Sequence, residues 1–325
     1  MNDRGGGKAI WDARSLFELM RARAPAEDVA AYDDASLERS AALAYAALKR
    51  HRRGESVIAI DSDDELRRGG IPLTAITVVN DNMPFLFDSV TGEVNDSAGE
   101  SSLVLHPVML VRHDEEGVAA LIGEAGGGKA EPEADRVSLI HIHVPRISER
   151  ECEGLRERLA YILRQVRAAV VDWKPMLARL DHAISDLRYL PVPLSKDSVA
   201  EAVSFLEWLR DNNFTFLGMR EFRYVGGADD GMLERADSEG LGILSDPNVL
   251  VLRRGTEAVT TTPEIRAFLH GPEPLIVTKA NAKSVVHRRI YLDYVGVKTF
   301  DKDGALAGEL RIVGLFTSTA YTRSV

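Results

Sequence analysis

Cysteine is almost missing from this sequence: Cys152 is the only one in 325 residues. A single thiol excludes an internal disulfide framework and any cysteine-based zinc cluster, and it suits a reducing, cytoplasmic setting. Long apolar runs are missing too. None reaches the roughly 18–20 residues that a membrane-spanning helix needs, so no membrane partner is expected. The start, Met1 to Lys8, is Gly-rich and polar, without the apolar core of a signal peptide. There is no basic surplus either: forty Lys and Arg face fifty Asp and Glu, a formal charge of −10. Nonspecific nucleic-acid binding draws on an excess of Lys and Arg, and basic pairs such as Arg52–Arg53 and Arg288–Arg289 are scattered; no nucleic-acid partner is expected. Familiar catalytic signatures are absent as well. No Gly-x-Gly-x-x-Gly follows a strand, and there is no Gly-x-Ser-x-Gly elbow or His-Glu-x-x-His helix. What is present is enough apolar material for packed cores (45% hydrophobic) and a length that suggests two or three domains.

Hydrophobic spacing supplies the elements. Leu37, Ala41, Ala44, Tyr45 and Leu48 recur at helical spacing and mark the main helix of residues 1–70, a helical N-terminal segment in which 56–60 form a short strand. Residues 73–79 are apolar or β-branched throughout, as a buried strand requires. Asp81-Asn82-Met83-Pro84 breaks that strand, and Pro84 fits the first position of a helix over 84–97. Strands are expected over 102–112 and 136–144, separated by a Gly-rich excursion. A long helix then opens with a Ser148/Glu151 capping box and carries Leu155, Leu159, Ile162, Leu163, Val166 and Val170 on one face. The order over 71–172 is β-α-β-β-α. Pro175, Pro191 and Pro193 bracket a helical linker, 173–212, in which Ser198 and Glu201 form a second capping box. Strands at 214–224, 275–280, 290–300 and 305–316, the last two joined by an Asp303–Gly304 turn, make 213–325 a second, strand-rich module. The sequence stops at Val325 directly after a strand-like run with no polar tail, so a fragment of something longer is expected.

Few constellations could carry chemistry. Gly123-Glu-Ala-Gly-Gly-Gly128-Lys129-Ala130 approaches a phosphate loop, but Ala130 stands where magnesium needs a hydroxyl, and Glu131-Pro132-Glu133 does not continue as a helix. His141 and His143 alternate on a strand and share a face, and His106 on the preceding strand could join them around zinc. No carboxylate sits at ligand spacing nearby, so packing is the plainer reading. Cys152 lies in the first turn of a helix, but its neighbours Glu151 and Glu153 work against a reactive thiolate. The junction Asp81–Pro84 is the better lead. Helix-end amides and the positive end of the dipole converge there, which suits a carboxylate or phosphate. Asp81, Asn82 or Asp88 could hold a ligand ammonium group; alternatively, Asp81 and Asn82 merely cap the helix.

The segment Ile76-Thr-Val-Val-Asn-Asp-Asn-Met-Pro84-Phe-Leu-Phe-Asp88-Ser-Val90 resembles the opening of an ACT domain, and β-α-β-β-α is the ACT order short of its final strand. Further stretches, Leu105-His-Pro-Val-Met-Leu-Val-Arg112, Asn213-Phe-Thr-Phe-Leu-Gly218, Val286-His-Arg-Arg-Ile-Tyr-Leu-Asp-Tyr-Val-Gly-Val-Lys298 and Gly314-Leu-Phe-Thr-Ser-Thr-Ala-Tyr321, follow in the order found in the N-terminal part of the large bacterial NAD-dependent glutamate dehydrogenases. That resemblance implies an α+β architecture. A helical N-terminal segment precedes an ACT-like (ferredoxin-like βαββαβ) domain and then a second strand-rich α/β module, PAS-like or ACT-like, with the closing meander favouring the former. It implies an amino-acid effector near Asp81, Asn82, Met83, Pro84 and Asp88, and partners among the other domains and subunits of a homo-oligomeric parent enzyme. NAD belongs to that parent and not to this segment. The Gly-Gly-x-Lys signature of the catalytic domain has no counterpart here, Gly127-Gly128-Lys129 being an echo in the wrong context, so no catalytic residue is carried over. A structural module that only mediates oligomer contacts is the alternative; a metalloenzyme using His106, His141 and His143 is a more distant one.

Overall fold

The computed structural model describes residues 11–126, 134–227, 231–254 and 257–318. The chain divides into two compact units, 1–163 and 164–325.

In the first unit, helices α1 (Ala13–Arg23), α2 (Ala26–Val29) and α3 (Asp34–Lys49) precede β1 (Ser56–Asp61), β2 (Arg67–Arg68) and β3 (Ile71–Asp81). Helix α4 (Leu86–Ala98), strands β4 (Leu103–Leu105), β5 (Val108–His113), β6 (Val118–Glu124) and β7 (Asp135–Pro145), and helix α5 (Glu149–Val171) follow. The sheet is antiparallel in the order β1-β3-β7-β5-β6, with β2 beside β3 and β4 beside β7. β3 and β7 are its centre, and in each of them eight consecutive residues are buried. A strand buried on both faces needs a layer on each side. Leu73, Ala75, Val79 and Leu139 pack against Leu16, Phe17 and Met20 of α1 and Leu37, Ala41, Ala44 and Leu48 of α3. The alternate residues Ile76, Val78, Ile140 and Ile142 point to the opposite face, where Leu86, Val90 and Val94 of α4 and Leu155 and Leu159 of α5 are buried. Arg158 of α5 ties to the buried Glu93 of α4 at 2.6 Å. Residues 1–70 thus contribute α1, α3 and an edge strand to the same body as the ACT-like elements.

The α+β reading holds, with four local corrections. The expected strand over 102–112 is two strands, because Pro107 has no N–H for the ladder. The Gly-rich excursion carries a strand, β6, paired with β5. Pro84 is not the first helical residue; α4 starts at Leu86, after Phe85 in a left-handed conformation (φ 70°). No strand of this sheet follows α5 among the described residues. The place beside β3, where a βαββαβ fold seats its closing strand, is taken by β1, which comes earlier in the chain.

The boundary between the units falls within α5, and the second unit continues with α6 (Trp173–Tyr189) and α7 (Lys196–Trp208). Then come β8 (Phe214–Val225), β9 (Met232–Arg235), β10 (Leu241–Gly242), β11 (Leu252–Arg254), β12 (Glu257–Val259), α8 (Pro263–His270), β13 (Leu275–Lys283), β14 (Tyr291–Phe300) and β15 (Leu306–Phe316). Its main sheet has the order β10-β8-β15-β14-β13, with β9 also on β8. The last three strands form the expected meander, the feature on which the PAS-like form was favoured. Gly304 makes the β14–β15 turn at φ 85°, and a Cβ there would run into the Pro191 carbonyl. One sheet face packs Phe216, Val295, Val297, Leu310 and Ile312 on Met176, Leu180, Ile184, Val203 and Leu206 of α6 and α7. The alternating residues of the other face include a fully buried polar set. Arg311 Nε donates to the Tyr294 hydroxyl at 3.0 Å, and its Nη2 donates to Glu309 Oε2 at 3.1 Å and to the Thr260 carbonyl at 2.7 Å. Tyr294 in turn donates to Glu309 Oε1, and the guanidinium lies 4.0 Å from the Phe222 ring centroid.

The α7 start is also corrected. Its cap is Ser195, whose Oγ accepts from the Ser198 N–H at 3.1 Å, so Ser198 lies inside the helix and does not open it. Ser195→Ala is expected to cost about 1 kcal/mol in urea unfolding, and Ser198→Ala only a few tenths. The reverse ranking would restore the Ser198/Glu201 box.

Candidate functional site

The turn singled out in the sequence links β3 to α4. Asn82 N–H donates to the Arg136 carbonyl at 2.9 Å, which fixes the turn to the start of β7. Asn82 Oδ1 accepts from Ser138 Oγ at 3.0 Å, and Ser138 Oγ also meets His106 Nε2 at 3.0 Å. The His106 ring stacks on Phe87 of α4, with centroids 4.9 Å apart and planes 8° apart. Burial pulls the His106 pKa down, opposed by the charge of Asp88, so the ring is neutral at pH 7. Phe87, Asn82, Pro84 and Asp88 are exposed, while Met83 and Phe85 are half-buried.

Two features distinguish this turn from an ordinary strand–helix connection. No side chain caps the first turn of α4, so the helix lacks the Ser, Thr, Asp or Asn partner that such ends usually carry. A bulky Phe85 at positive φ stores strain of roughly 1–3 kcal/mol, and such strain gathers at ligand clamps. Its carbonyl accepts from both the N–H and the hydroxyl of Ser89. Neither Asp81 nor Asn82 is the helix cap that the plainer reading expected. Asp81 Oδ2 accepts instead from the Gly54 N–H at 2.9 Å, and Asp81 Oδ1 stands 3.6 Å from His51 Nε2. Met83, Pro84 and Asp88 lie along one short arc with them. Sequence reading singled out this arc without Phe85, Phe87 and Ser138; the aromatic pair flanking Leu86 was a signal for the first two, and Ser138 had none.

The histidine constellation separates. His106 bonds Ser138, on the face of β7 opposite His141 and His143, and so does not join them. His141 and His143 face α3, with Nε2 atoms 3.0 Å apart and 2.8 and 2.9 Å from Ser40 Oγ. Thr77 holds His141 Nδ1 at 2.8 Å, and the Tyr32 hydroxyl holds His143 Nδ1 at 2.9 Å and reaches Ser102 Oγ at 3.2 Å. Burial lowers His141 to about 4 and His143 well below its ordinary value; both rings are neutral. Every ring nitrogen has a partner, and the arrangement fastens the N-terminal helices to the sheet. Among the described residues no group of three or more His, Cys, Asp or Glu is placed to hold a metal ion. Cys152 is buried, with Sγ 4.0 Å from Ser62 Oγ. Residues 127–130 of the near phosphate loop lie outside the described residues.

Comparison with known proteins places the chain in a family. Residues 16–159, nearly the whole first unit, match the family described as "Glutamate dehydrogenase, ACT1 domain". The chain is related to the NAD-specific glutamate dehydrogenases. It is 30% identical over 287 residues (87% of this chain) to the NAD-specific glutamate dehydrogenase of Pseudomonas aeruginosa. To that of Halomonas elongata it is 33% identical over 257 residues (77% of this chain). It spans only 17% and 15% of the length of these relatives. The resemblance read from the sequence is therefore borne out, and the ACT1 match takes in every residue of the β3–α4 turn together with the helices that cover the other face of the sheet. No helix among the described residues is long and apolar enough to cross a membrane.

Proposed function

We propose that this chain is the N-terminal regulatory and assembly region of an NAD-dependent glutamate dehydrogenase, and that its first unit senses a small metabolite, an amino acid, at the β3–α4 turn. The parent reaction in this reading is oxidation of L-glutamate with NAD and water to 2-oxoglutarate, ammonium and NADH. NAD and the reacting residues belong to other domains of the parent, and a reducing cytoplasm suits the lone thiol. The observation that carries the reading is the uncapped start of α4 behind a strained Phe85. The positive end of the helix suits a ligand carboxylate. The Asp88 carboxylate suits its ammonium group, and the Phe87–His106 stack offers a flat apolar wall for its side chain. Sensing requires the ligand to favour one conformation or packing of the parent over another. Homo-oligomerisation is part of the same proposal. Since both faces of the first sheet are covered by helices of the chain, contacts between copies would use sheet edges or outer helix surfaces.

A thermal-shift panel of the common amino acids tests it. A ligand held only by the folded chain at about 100 times its Kd stabilises by about 2.7 kcal/mol, roughly 5–10 °C for a unit of this size. Asn82→Ala combined with Asp88→Ala is expected to abolish the shift and keep the unliganded melting temperature within about 2 °C, both side chains being exposed. Silence across the panel would favour the purely structural alternative, and a shift that survives in the double variant would move the site elsewhere.

A further inference from the structure

The two edges of the first sheet differ. The outer side of β6 is met by Trp11, whose N–H donates to the Leu121 carbonyl at 2.8 Å and whose indole lies over Gly123. The ladder between β6 and β5 also shifts register twice. An edge that is bridged and bulged is a poor template for another strand. At the opposite edge β1 has neither device. Its residues Ser56-Val-Ile-Ala-Ile-Asp61 hold one unbroken register on β3, from Ser56 opposite Asn80 to Asp61 opposite Ala75. No Lys, Pro or Gly interrupts them, and Val57, Ile58 and Ile60 are β-branched. Every second residue of an antiparallel strand turns its N–H and C=O away from the neighbour it pairs with. Among the described residues no strand lies beyond β1 to meet those groups.

The turns on either side of β1 carry opposite charge. The turn before it, closed by the Glu55 N–H on the Arg52 carbonyl at 3.1 Å, holds Arg52 and Arg53, with Glu55 as the exception in sign. The turn after it holds Asp63, Asp64 and Glu65. Part of this charge is met within one copy. Arg53 reaches Asp135 at 2.7 Å, Asp63 pairs with Arg39 at 2.5 Å, and Asp64 pairs with Arg146. Arg52 at one end and Glu65 at the other are exposed. A strand with a basic turn at its start and an acidic turn at its end is complementary to itself when reversed. Antiparallel pairing of two copies sets basic against acidic at both ends, by symmetry. Parallel pairing sets like against like.

The pleat narrows the register. A two-fold axis normal to the sheet keeps the same face up in both copies, so only residues pointing to the same face can stand opposite each other. Val57 and Ala59 belong to the side packed by α1 and α3, and Ile58 and Ile60 alternate with them. An axis at Ile58 sets Ile58 against its own copy, Val57 against Ala59 and Ser56 against Ile60. An axis at Ala59 sets Val57 against the Asp61 carboxylate instead, which loses apolar contact. The Ile58 axis is the better one.

We propose that β1 is a pairing edge for a second copy of this chain: two β1 strands meet antiparallel about a two-fold axis at Ile58 and join the two first-unit sheets into one. This rests on the homo-oligomeric part of the reading above, to which it gives a surface, and it is independent of amino-acid sensing. A pairing of residues 56–60 with its flanking turns is a small contact, so the association is a concentration-dependent equilibrium.

Sedimentation velocity of the 325-residue chain over a concentration series tests it, with a monomer–dimer equilibrium as the expected result. Arg52→Glu sets acidic against acidic at both ends of the dimer, and Glu65→Lys sets basic against basic. Each variant alone is expected to raise the dissociation constant roughly tenfold, since two exposed charge contacts change per dimer. An equimolar mixture of the two variants recovers the affinity of the parent chain, because opposite charges meet at both ends of the mixed dimer. Mixing cannot repair a misfolded variant, so recovery reads the interface itself. Ile58→Cys gives a second readout: mild oxidation links two copies across the axis, whereas Ser56→Cys, which faces Ile60, stays unlinked. A chain that is monomeric throughout overturns pairing between copies. A dimer that neither charge variant weakens, that mixing fails to restore, or that Ile58→Cys fails to link overturns the β1 edge as its surface and leaves homo-oligomerisation standing. No amino acid enters this experiment, so its failure leaves the sensing site standing as well.

Discussion

Arg311→Met destabilises the second unit by about 3–5 kcal/mol, the penalty typical of removing one member of a buried ion pair. Glu309 is 0% exposed, and the Tyr294 hydroxyl and the Arg311 guanidinium are the partners of its two carboxylate oxygens. Without the guanidinium, a carboxylate is left inside the unit with one phenolic donor. Burial holds the Tyr294 hydroxyl well above its ordinary pKa, so it remains a donor and cannot leave as an anion. The variant also loses the contact with the Phe222 ring and frees the Thr260 carbonyl. Replacing the pair together, Glu309→Leu with Arg311→Met, removes the stranded charge, and such exchanges are often neutral or stabilising. The double variant should therefore unfold in urea closer to the parent chain than Arg311→Met does. A single variant within 1 kcal/mol of the parent would show that the cluster contributes little.

Acid weakens the first unit before its carboxylates protonate. His141 stays neutral in the folded chain down to about pH 4, while an unfolded histidine takes up its proton near 6.5. Between those values the unfolded state binds a proton that the folded state refuses. Stability therefore falls as pH drops from about 6.5 and levels off, for this residue, below about 4. The expected loss is about 3 kcal/mol for His141, and His143, also lowered, adds in the same direction. The structural consequence is local. A proton on either ring adds a donor where Ser40 Oγ, His141 Nε2 and His143 Nε2 already crowd within 3.0 Å of one another, and Ser40 belongs to α3. Chemical denaturation at pH 7 and pH 5 measures the slope. His141→Gln should flatten it, at the cost of some stability at pH 7. Equal stability at the two pH values in the unmodified chain would contradict the neutral assignment.

The elements were legible where periodicity is the whole signal. The α3 stripe from Leu37 to Leu48, the continuous apolar run of β3 and the Ser148/Glu151 box all fold as their spacing indicates. The misplacements have local causes. Ser195 and Ser198 are both able to cap, and the Glu201 three residues on made the wrong one look better. Pro84 suits a first helical position, but a left-handed Phe85 inserts itself before the helix, and no rule of residue preference anticipates a phenylalanine there. Pro107, by contrast, was a readable break. The role of β1 was not written in its own sequence, since a strand's spacing says which side is buried but not which neighbour it takes.

The candidate site shows the same division. Alternation alone put His141 and His143 on one face, but their partners Tyr32 and Ser40 lie about a hundred residues away and are fixed only by packing α3 on the sheet. His106 was grouped with them because adjacency of strands does not reveal which face a residue takes where the strand breaks, and His106 lies in the break before Pro107. The arc from Asp81 to Asp88 could be found as a junction of strand and helix. Its strain, its missing cap and its aromatic wall could not. Covering of the open sheet face by α1 and α3 was equally hidden, and it narrows the surfaces available for contacts between copies.

Hydrogen–deuterium exchange of the 325-residue chain, with and without the amino acid that gives the largest thermal shift, tests the central claim most directly. A ligand seated at the start of α4 protects the amides of residues 85–90, of His106 between β4 and β5, and of Ser138 in β7, and the second unit exchanges as before. If no amino acid slows exchange at residues 82–90, or if protection falls only in the second unit, the first unit is not the sensor.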